Sequence, residues 1–160
     1  EGLGEGSEFV VFLPCQAEAP AASTPRLAVE SRGARGLKVL VVDDNVDAAQ
    51  MLATLLEMNG YEVGLAYDGE SALASAAQAP PDVALLDIGL PDIDGHELAR
   101  RLRASPELSG AMLVALTGYG QEEDRQRAFA AGFDHHMAKP ADIKKLLALL
   151  EQVESTRLTA

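Results

Sequence analysis

With 160 residues, 48% of them apolar, the chain has enough material for one full domain and a real core, which excludes both a disordered tail and two ordinary domains. Most of its net charge of −12 lies in residues 37–160, where twenty acids oppose ten bases, against five acids and three bases in residues 1–36. A domain this acidic is repelled by nucleic-acid phosphates and anionic lipid, so neither is expected as a partner, whereas a divalent cation suits it.

Taken in chain order, residues 1–14 (EGLGEGSEFVVFLP) are glycine-rich and pass into a strand-like run from Phe9 to Leu13. Residues 15–36 are rich in Ala, Pro, Ser, Gly and Arg and lack an apolar period, which predicts a flexible linker. They include Cys15, the single cysteine, which has no internal disulfide partner. No apolar run approaches the roughly 20 residues of a membrane span, and no basic stretch precedes an apolar leader. The chain is therefore read as cytoplasmic. Its first residue is Glu rather than Met, so a fragment of a longer protein is expected.

From Leu37 short apolar runs alternate with segments of helical period. The runs are KVLVV (38–42), YEVGLA (61–66), DVALLD (82–87), MLVALT (112–117) and the weaker DHHMA (134–138). Continuous apolar runs predict strands covered on both faces, as in a parallel sheet. Between them, Met51, Leu52, Leu55 and Leu56 form one helical stripe, and Ile143, Leu146, Leu147, Leu150 and Val153 form another. Asp94 with Glu97 three residues on resembles a capping box, and Asp142 is placed to cap the last helix. Gly60 and Gly132 stand where helices should stop. Five strand and five helix segments in alternation predict a doubly wound α/β sandwich.

In such sheets function gathers at the carboxyl ends of the strands. The first run ends in Asp43 and Asp44, the third in Asp87, the fourth in Thr117, and the fifth is followed by Lys139-Pro140. Singly, each residue has an ordinary explanation as a turn former, a β-branched strand residue or a solvated cation. Together they are three carboxylates, a hydroxyl and an ammonium on one rim. Three uncompensated carboxylates repel one another, and a hard cation such as Mg²⁺ removes the conflict while leaving room for a phosphoryl oxygen. Asp87 is then placed to attack phosphorus.

The motifs VVDDN (41–45), LLDIGLPDIDG (85–95), ALTGYG (115–120) and AGFDHHMAKP (131–140) resemble the receiver domains of two-component response regulators over residues 37–155. The resemblance implies a strand order of 2-1-3-4-5 and a domain that catalyses its own aspartyl phosphorylation. It implies Asp87 as phosphoacceptor and Asp43 and Asp44 as the acidic pair that binds Mg²⁺ with Asp87 and the Gly89 carbonyl. Thr117 matches the switch hydroxyl and Lys139 the lysine that meets the phosphoryl group, with a cis peptide before Pro140. His136 stands where the family's aromatic switch residue is usually Tyr or Phe. Gly89 and Tyr119 occupy positions that tune phosphoaspartate hydrolysis. The implied partner is a phosphohistidine-bearing kinase dimerisation domain or a histidine phosphotransfer protein. His135 and His136, adjacent on a strand, point to opposite faces and cannot easily share a metal ion.

The stretch GLGEGSEFVVFLP resembles the last glycine turn and final strand of the ATP-binding domain of sensor histidine kinases. The resemblance implies a hybrid kinase, with residues 1–14 the tail of that domain, 15–36 a linker, 37–155 the receiver and 156–160 a C-terminal tail. The ATP-lid and asparagine-bearing motifs are missing, so this segment is expected to have no kinase activity of its own. Because the sequence stops soon after the last helix, the expected output is phosphoryl relay or regulation of the parent kinase. A haloacid-dehalogenase phosphatase would need its nucleophile on the first strand in an Asp-x-Asp motif. A flavodoxin would need a Ser/Thr/Gly-rich loop where Asp43-Asp44-Asn45 stands.

Overall fold

The structure, a computed structural model, describes residues 36–118 and 122–158. The run predicted as a strand at Phe9–Leu13, the linker up to residue 35, and Tyr119 lie outside the described residues.

Five strands and five helices alternate: β1 (Lys38–Val42), α1 (Val46–Met58), β2 (Glu62–Ala66), α2 (Gly69–Gln78), β3 (Val83–Asp87), α3 (Gly95–Ala104), β4 (Met112–Thr117), α4 (Glu122–Ala131), β5 (His135–Ala138) and α5 (Ile143–Leu158). All pairings are parallel and the sheet order is β2-β1-β3-β4-β5, as the motifs implied. Two cores cover the sheet. On one face Leu40, Val42, Leu86 and Leu113 pack with Leu98, Leu102 and Ala128 from α3 and α4. On the other, Val41, Leu85 and Leu116 pack with Leu52 and Leu56 of α1 and Leu146 and Leu150 of α5. Leu85 and Leu86, adjacent in β3, enter opposite cores and are both fully buried, each contributing about 1.5–3 kcal/mol of transfer free energy.

Coverage on both faces holds for the interior strands only. β2 alternates exposed and half-buried positions up to its buried last residue, Ala66, and β5 is half-buried to exposed. Both are edge strands with neighbours on one side, which is why their runs read less apolar.

The helix ends follow their caps. Asn45 opens α1 by accepting from the Ala48 amide at 3.1 Å, and Asp142 opens α5 by accepting from the Lys144 and Lys145 amides. Asp94 caps α3 but the capping box is not closed. Its carboxylate accepts from the His96 amide at 3.0 Å, and Glu97 turns along the helix to Arg100 and Arg101 instead of back to the cap. Two guanidinium donors outcompete one backbone amide for that carboxylate. Gly60 and Gly132 end their helices at φ 90° and 102°, a region that β-carbons disfavour. The final helix runs on through Leu158, so residues 156–158 are helical rather than tail. Arg157 there reaches Asp82 at 2.6 Å, which fastens the last turn to the start of β3.

One side chain organises the end of the sheet opposite the carboxyl rim. Arg103 of α3 donates to the carbonyls of Gly132, Ser109 and Ala111 and pairs with Asp134, whose carboxylate also accepts from the Leu113 amide. Among the described residues no helix is long and apolar enough to cross a membrane.

Candidate functional site

The parallel sheet brings its carboxyl ends to one rim, and the strand order puts β1 and β3 side by side at its centre. Asp43 follows the last residue of β1, Asp87 is the last of β3, Thr117 the last of β4, and Lys139 follows β5. Asp43, Asp87 and Thr117 are 4%, 7% and 6% exposed, the buried polar or charged residues among those described, in a core that is aliphatic apart from Tyr61 and Phe133.

The rim is held by short, definite contacts. The Asn45 amide donates to Asp43 Oδ1 and the Gly89 amide to Asp87 Oδ1, each at 3.0 Å. The other oxygen of each carboxylate meets Lys139 Nζ, at 2.6 Å for Asp43 and 2.7 Å for Asp87. The ammonium thus bridges the two buried acids instead of standing apart for a ligand. Burial, the largest single influence, would push the Lys139 ammonium down. Hydrogen bonds and charge from Asp43 and Asp87 together outweigh it and hold the group above the usual lysine value. The peptide before Pro140 is cis, as the motif implied.

Asp44 is exposed, but one of its oxygens lies with oxygens of Asp43 and Asp87 in a group all within 4.8 Å of one another. This is an all-oxygen, anionic donor set on the scale of one small cation's coordination sphere, and it carries more negative charge than one ammonium balances. Its chemistry fits Mg²⁺. Gly89 is exposed at the start of the β3–α3 loop, and a β-carbon there would meet Asp87 Oδ1 at 3.7 Å, ordinary contact.

Thr117 and His136 also come together. Ala115 is in register with His136, and Thr117 with Ala138. The two side chains therefore share the α4 face as diagonal neighbours, with Thr117 Oγ1 2.9 Å from His136 Nε2. His135 and His136 are on opposite faces of β5, as alternation required, and neither belongs to the acidic group.

Two contacts that locate the loop after Asp87 left no readable signal. Asp92 accepts from the Gly69 and Glu70 amides at 2.9 and 3.1 Å, tying the β3–α3 loop to the start of α2. The Gly69 amide is the leading cause that holds Asp92 below the usual carboxylate range. Gly95 sits so close to β3 that a β-carbon there would lie 2.5 Å from the Asp87 carbonyl oxygen. An Asp in a loop and a Gly opening a helix are ordinary residues there, and nothing in the sequence names Gly69 and Glu70, more than twenty positions away, as partners of Asp92, or the Asp87 backbone as the close neighbour of Gly95. Beside the rim, a groove of about 580 Å³ runs between α1 and α5, lined by Met51, Leu55 and Ile143 and reaching Asp43 and Lys139. Met51 is 65% exposed.

Comparison with known proteins places this arrangement. Residues 39–151 match the family described as response regulator receiver domain. An uncharacterized 14.6 kDa protein of Leptolyngbya boryana is 36% identical over 116 residues, 72% of this chain and 88% of its own length. The DNA-binding dual master transcriptional regulator RpaA of Synechocystis is 35% identical over 111 residues, 69% of this chain and 46% of the regulator. The phosphate regulon transcriptional regulatory protein PhoB of Rhizobium meliloti is 36% identical, with 69% of this chain and 49% of that protein covered. The chain thus spans about half the length of these regulators. The solved structure of the chemotaxis response regulator CheY4 of Vibrio cholerae is similar at a TM-score of 0.69 and 34% identity, covering 74% of this chain and 98% of that one.

Proposed function

The chain belongs to the receiver domain family of two-component response regulators, and we propose that Asp87 is its phosphoacceptor, taking a phosphoryl group from a phosphohistidine. The observation that carries this reading is the meeting of three carboxylates within 4.8 Å with Lys139 2.7 Å from Asp87. An Asp87 carboxylate oxygen attacks phosphorus as the phosphorus–nitrogen bond of the donor breaks, and the departing imidazole keeps the bonding pair and takes up a proton. Asp43, Asp44, Asp87 and the Gly89 carbonyl would hold Mg²⁺, which when bound neutralises charge on the transferring group. Lys139 turns from the carboxylates to one phosphoryl oxygen and Thr117 donates to another.

The wider setting proposed is a hybrid sensor kinase, in which the receiver relays phosphate to a histidine phosphotransfer protein or regulates the parent kinase. Its support is the resemblance of GLGEGSEFVVFLP to the end of a kinase ATP-binding domain, followed by a linker-like stretch up to residue 36. The related regulators named for transcription show the same domain in another setting.

The test is incubation with acetyl phosphate, with and without Mg²⁺, read by intact mass. The wild type is expected to gain one phosphoryl group only with the metal, and Asp87→Ala to gain none. Equal labelling of Asp87→Ala would move the acceptor elsewhere.

A further inference from the structure

We propose that Asp92 is a positioning residue for the metal site: by gripping the first turn of α2 it fixes the β3–α3 loop, and with it the carbonyl of Gly89. The inference rests on the receiver reading above and deepens it with a residue outside the acidic group.

The first internal bond of α2 runs from the Ala72 amide to the Asp68 carbonyl at 3.1 Å. The amides of Gly69, Glu70 and Ser71 are therefore left without a partner in their own helix. Asp68, the cap, takes the Ser71 amide on Oδ1 at 2.6 Å. Asp92 takes the other two from across the loop, Gly69 on Oδ1 at 2.9 Å and Glu70 on Oδ2 at 3.1 Å. A carboxylate bonded through both oxygens to successive amides is fixed in direction as well as distance, and the positive end of the helix favours its charge. The next residue adds close packing. A β-carbon on Gly69 would lie 2.9 Å from Ile93 Cβ, so glycine there is what lets the loop lie this near to α2.

The grip acts on the chain that carries Gly89. Ile88 is pinned at the root of the loop, its amide donating to the Leu116 carbonyl and its carbonyl accepting from the Gly95 amide, both at 3.1 Å. Gly89 is exposed and has no side chain to pack. The direction of its carbonyl is thus set by the chain on either side, and the far side, from the buried Leu90 onward, is closed onto α2 by Asp92 and Ile93. α2 is a firm support because the strand that leads into it is bonded to the rim, where the Asp43 amide donates to the Ala66 carbonyl at 3.2 Å. Asp92 therefore ties the loop bearing one ligand to the frame that holds another. Its own two oxygens face α2 amides, so it acts through the loop and not as a ligand.

The experiment measures Mg²⁺ affinity by calorimetry for the wild type, Asp92→Ala, Asp92→Asn and Gly69→Ala, with the fold of each checked by circular dichroism. All three substitutions leave the proposed ligands in place. Asp92→Ala is expected to weaken binding roughly 10-fold, the lower end of what loss of an outer contact costs a metal site. Gly69→Ala keeps the Asp92 charge but pushes Ile93 away from α2, and should weaken binding too. Asp92→Asn loses the charge but keeps an acceptor oxygen, should fall between Asp92→Ala and the wild type, and carries the test if Gly69→Ala fails to fold. A residue that merely supported α2 would lower the unfolding midpoint in chelator and leave the affinity unchanged. Wild-type affinity in Asp92→Ala would therefore overturn the inference while leaving the receiver reading intact. So would equal weakening by Asp92→Asn and Asp92→Ala, which would reduce the effect to lost charge. Absence of Mg²⁺ binding by the wild type would overturn both.

Discussion

Replacing Lys139 by Met removes the one ammonium that bridges Asp43 and Asp87, keeping a side chain of similar length. What remains is a group of carboxylates within 4.8 Å of one another, two of them almost fully buried. Two unit charges at 4.8 Å repel by about 3.5 kcal/mol at an effective dielectric of about 20, and by about 0.9 kcal/mol in bulk water. The rim lies between those limits, since Asp44 is exposed and Lys139 itself is partly so. A loss near 2 kcal/mol is therefore expected at neutral pH in the presence of a chelator. Millimolar Mg²⁺ should restore much of it by supplying the missing positive charge, and should stabilise the variant more than the wild type. The assay is urea unfolding of both proteins with and without Mg²⁺, read as the shift in midpoint at constant slope. If the variant is as stable as the wild type in chelator, or if Mg²⁺ stabilises neither, the electrostatic account of this rim is wrong.

Gly95→Ala places a β-carbon 2.5 Å from the Asp87 carbonyl oxygen and 2.6 Å from Ile88 Cα. Backbone must move to admit it, so a loss of about 2 kcal/mol and slowed acetyl-phosphate labelling are expected despite alanine's better helix propensity; wild-type behaviour in both assays would show the approach to be slack. Asp94 supplies a pH dependence. Burial pushes its carboxyl up most strongly, but the His96 amide and ring, with Arg100 behind them, outweigh that and hold it below the usual range. A pKa lower in the folded than in the unfolded chain means that its contribution is in place above the ordinary carboxylate range and is lost as pH falls through the lowered value. The stability of Asp94→Asn should accordingly decline less steeply from about pH 5 downward than that of the wild type, and superimposable acid profiles would contradict this.

How much could be read in advance depended on how local the physics was. β1, β3 and β4 are buried on both faces, so their apolar runs stood out at nearly the observed boundaries, whereas β5 was legible only as the weaker run DHHMA. Asp43, Asp87, Thr117 and Lys139 could be picked out because each terminates a run, and parallel topology sends all such termini to one rim. Other features depended on partners distant in sequence. Glu97 looked like half of a capping box until Arg100 and Arg101 competed for it. The bridging position of Lys139 required knowing that the Asp43 and Asp87 oxygens would be in reach of one nitrogen. Asp92 on the start of α2 and Arg103 on three carbonyls could not be inferred, since an Asp in a loop and an Arg on a helix ordinarily face water.

Arg103 has a mechanical consequence. By gathering the carbonyls that precede β4 and β5, together with Asp134, it moors both strands at their roots. Their tips, which bear Thr117 and lead to Lys139, are held by other contacts, Thr117 against His136 and Lys139 between Asp43 and Asp87. The two ends of these strands are thus fixed by different means, the base by an arginine remote from the rim and the tips by side chains of the rim itself.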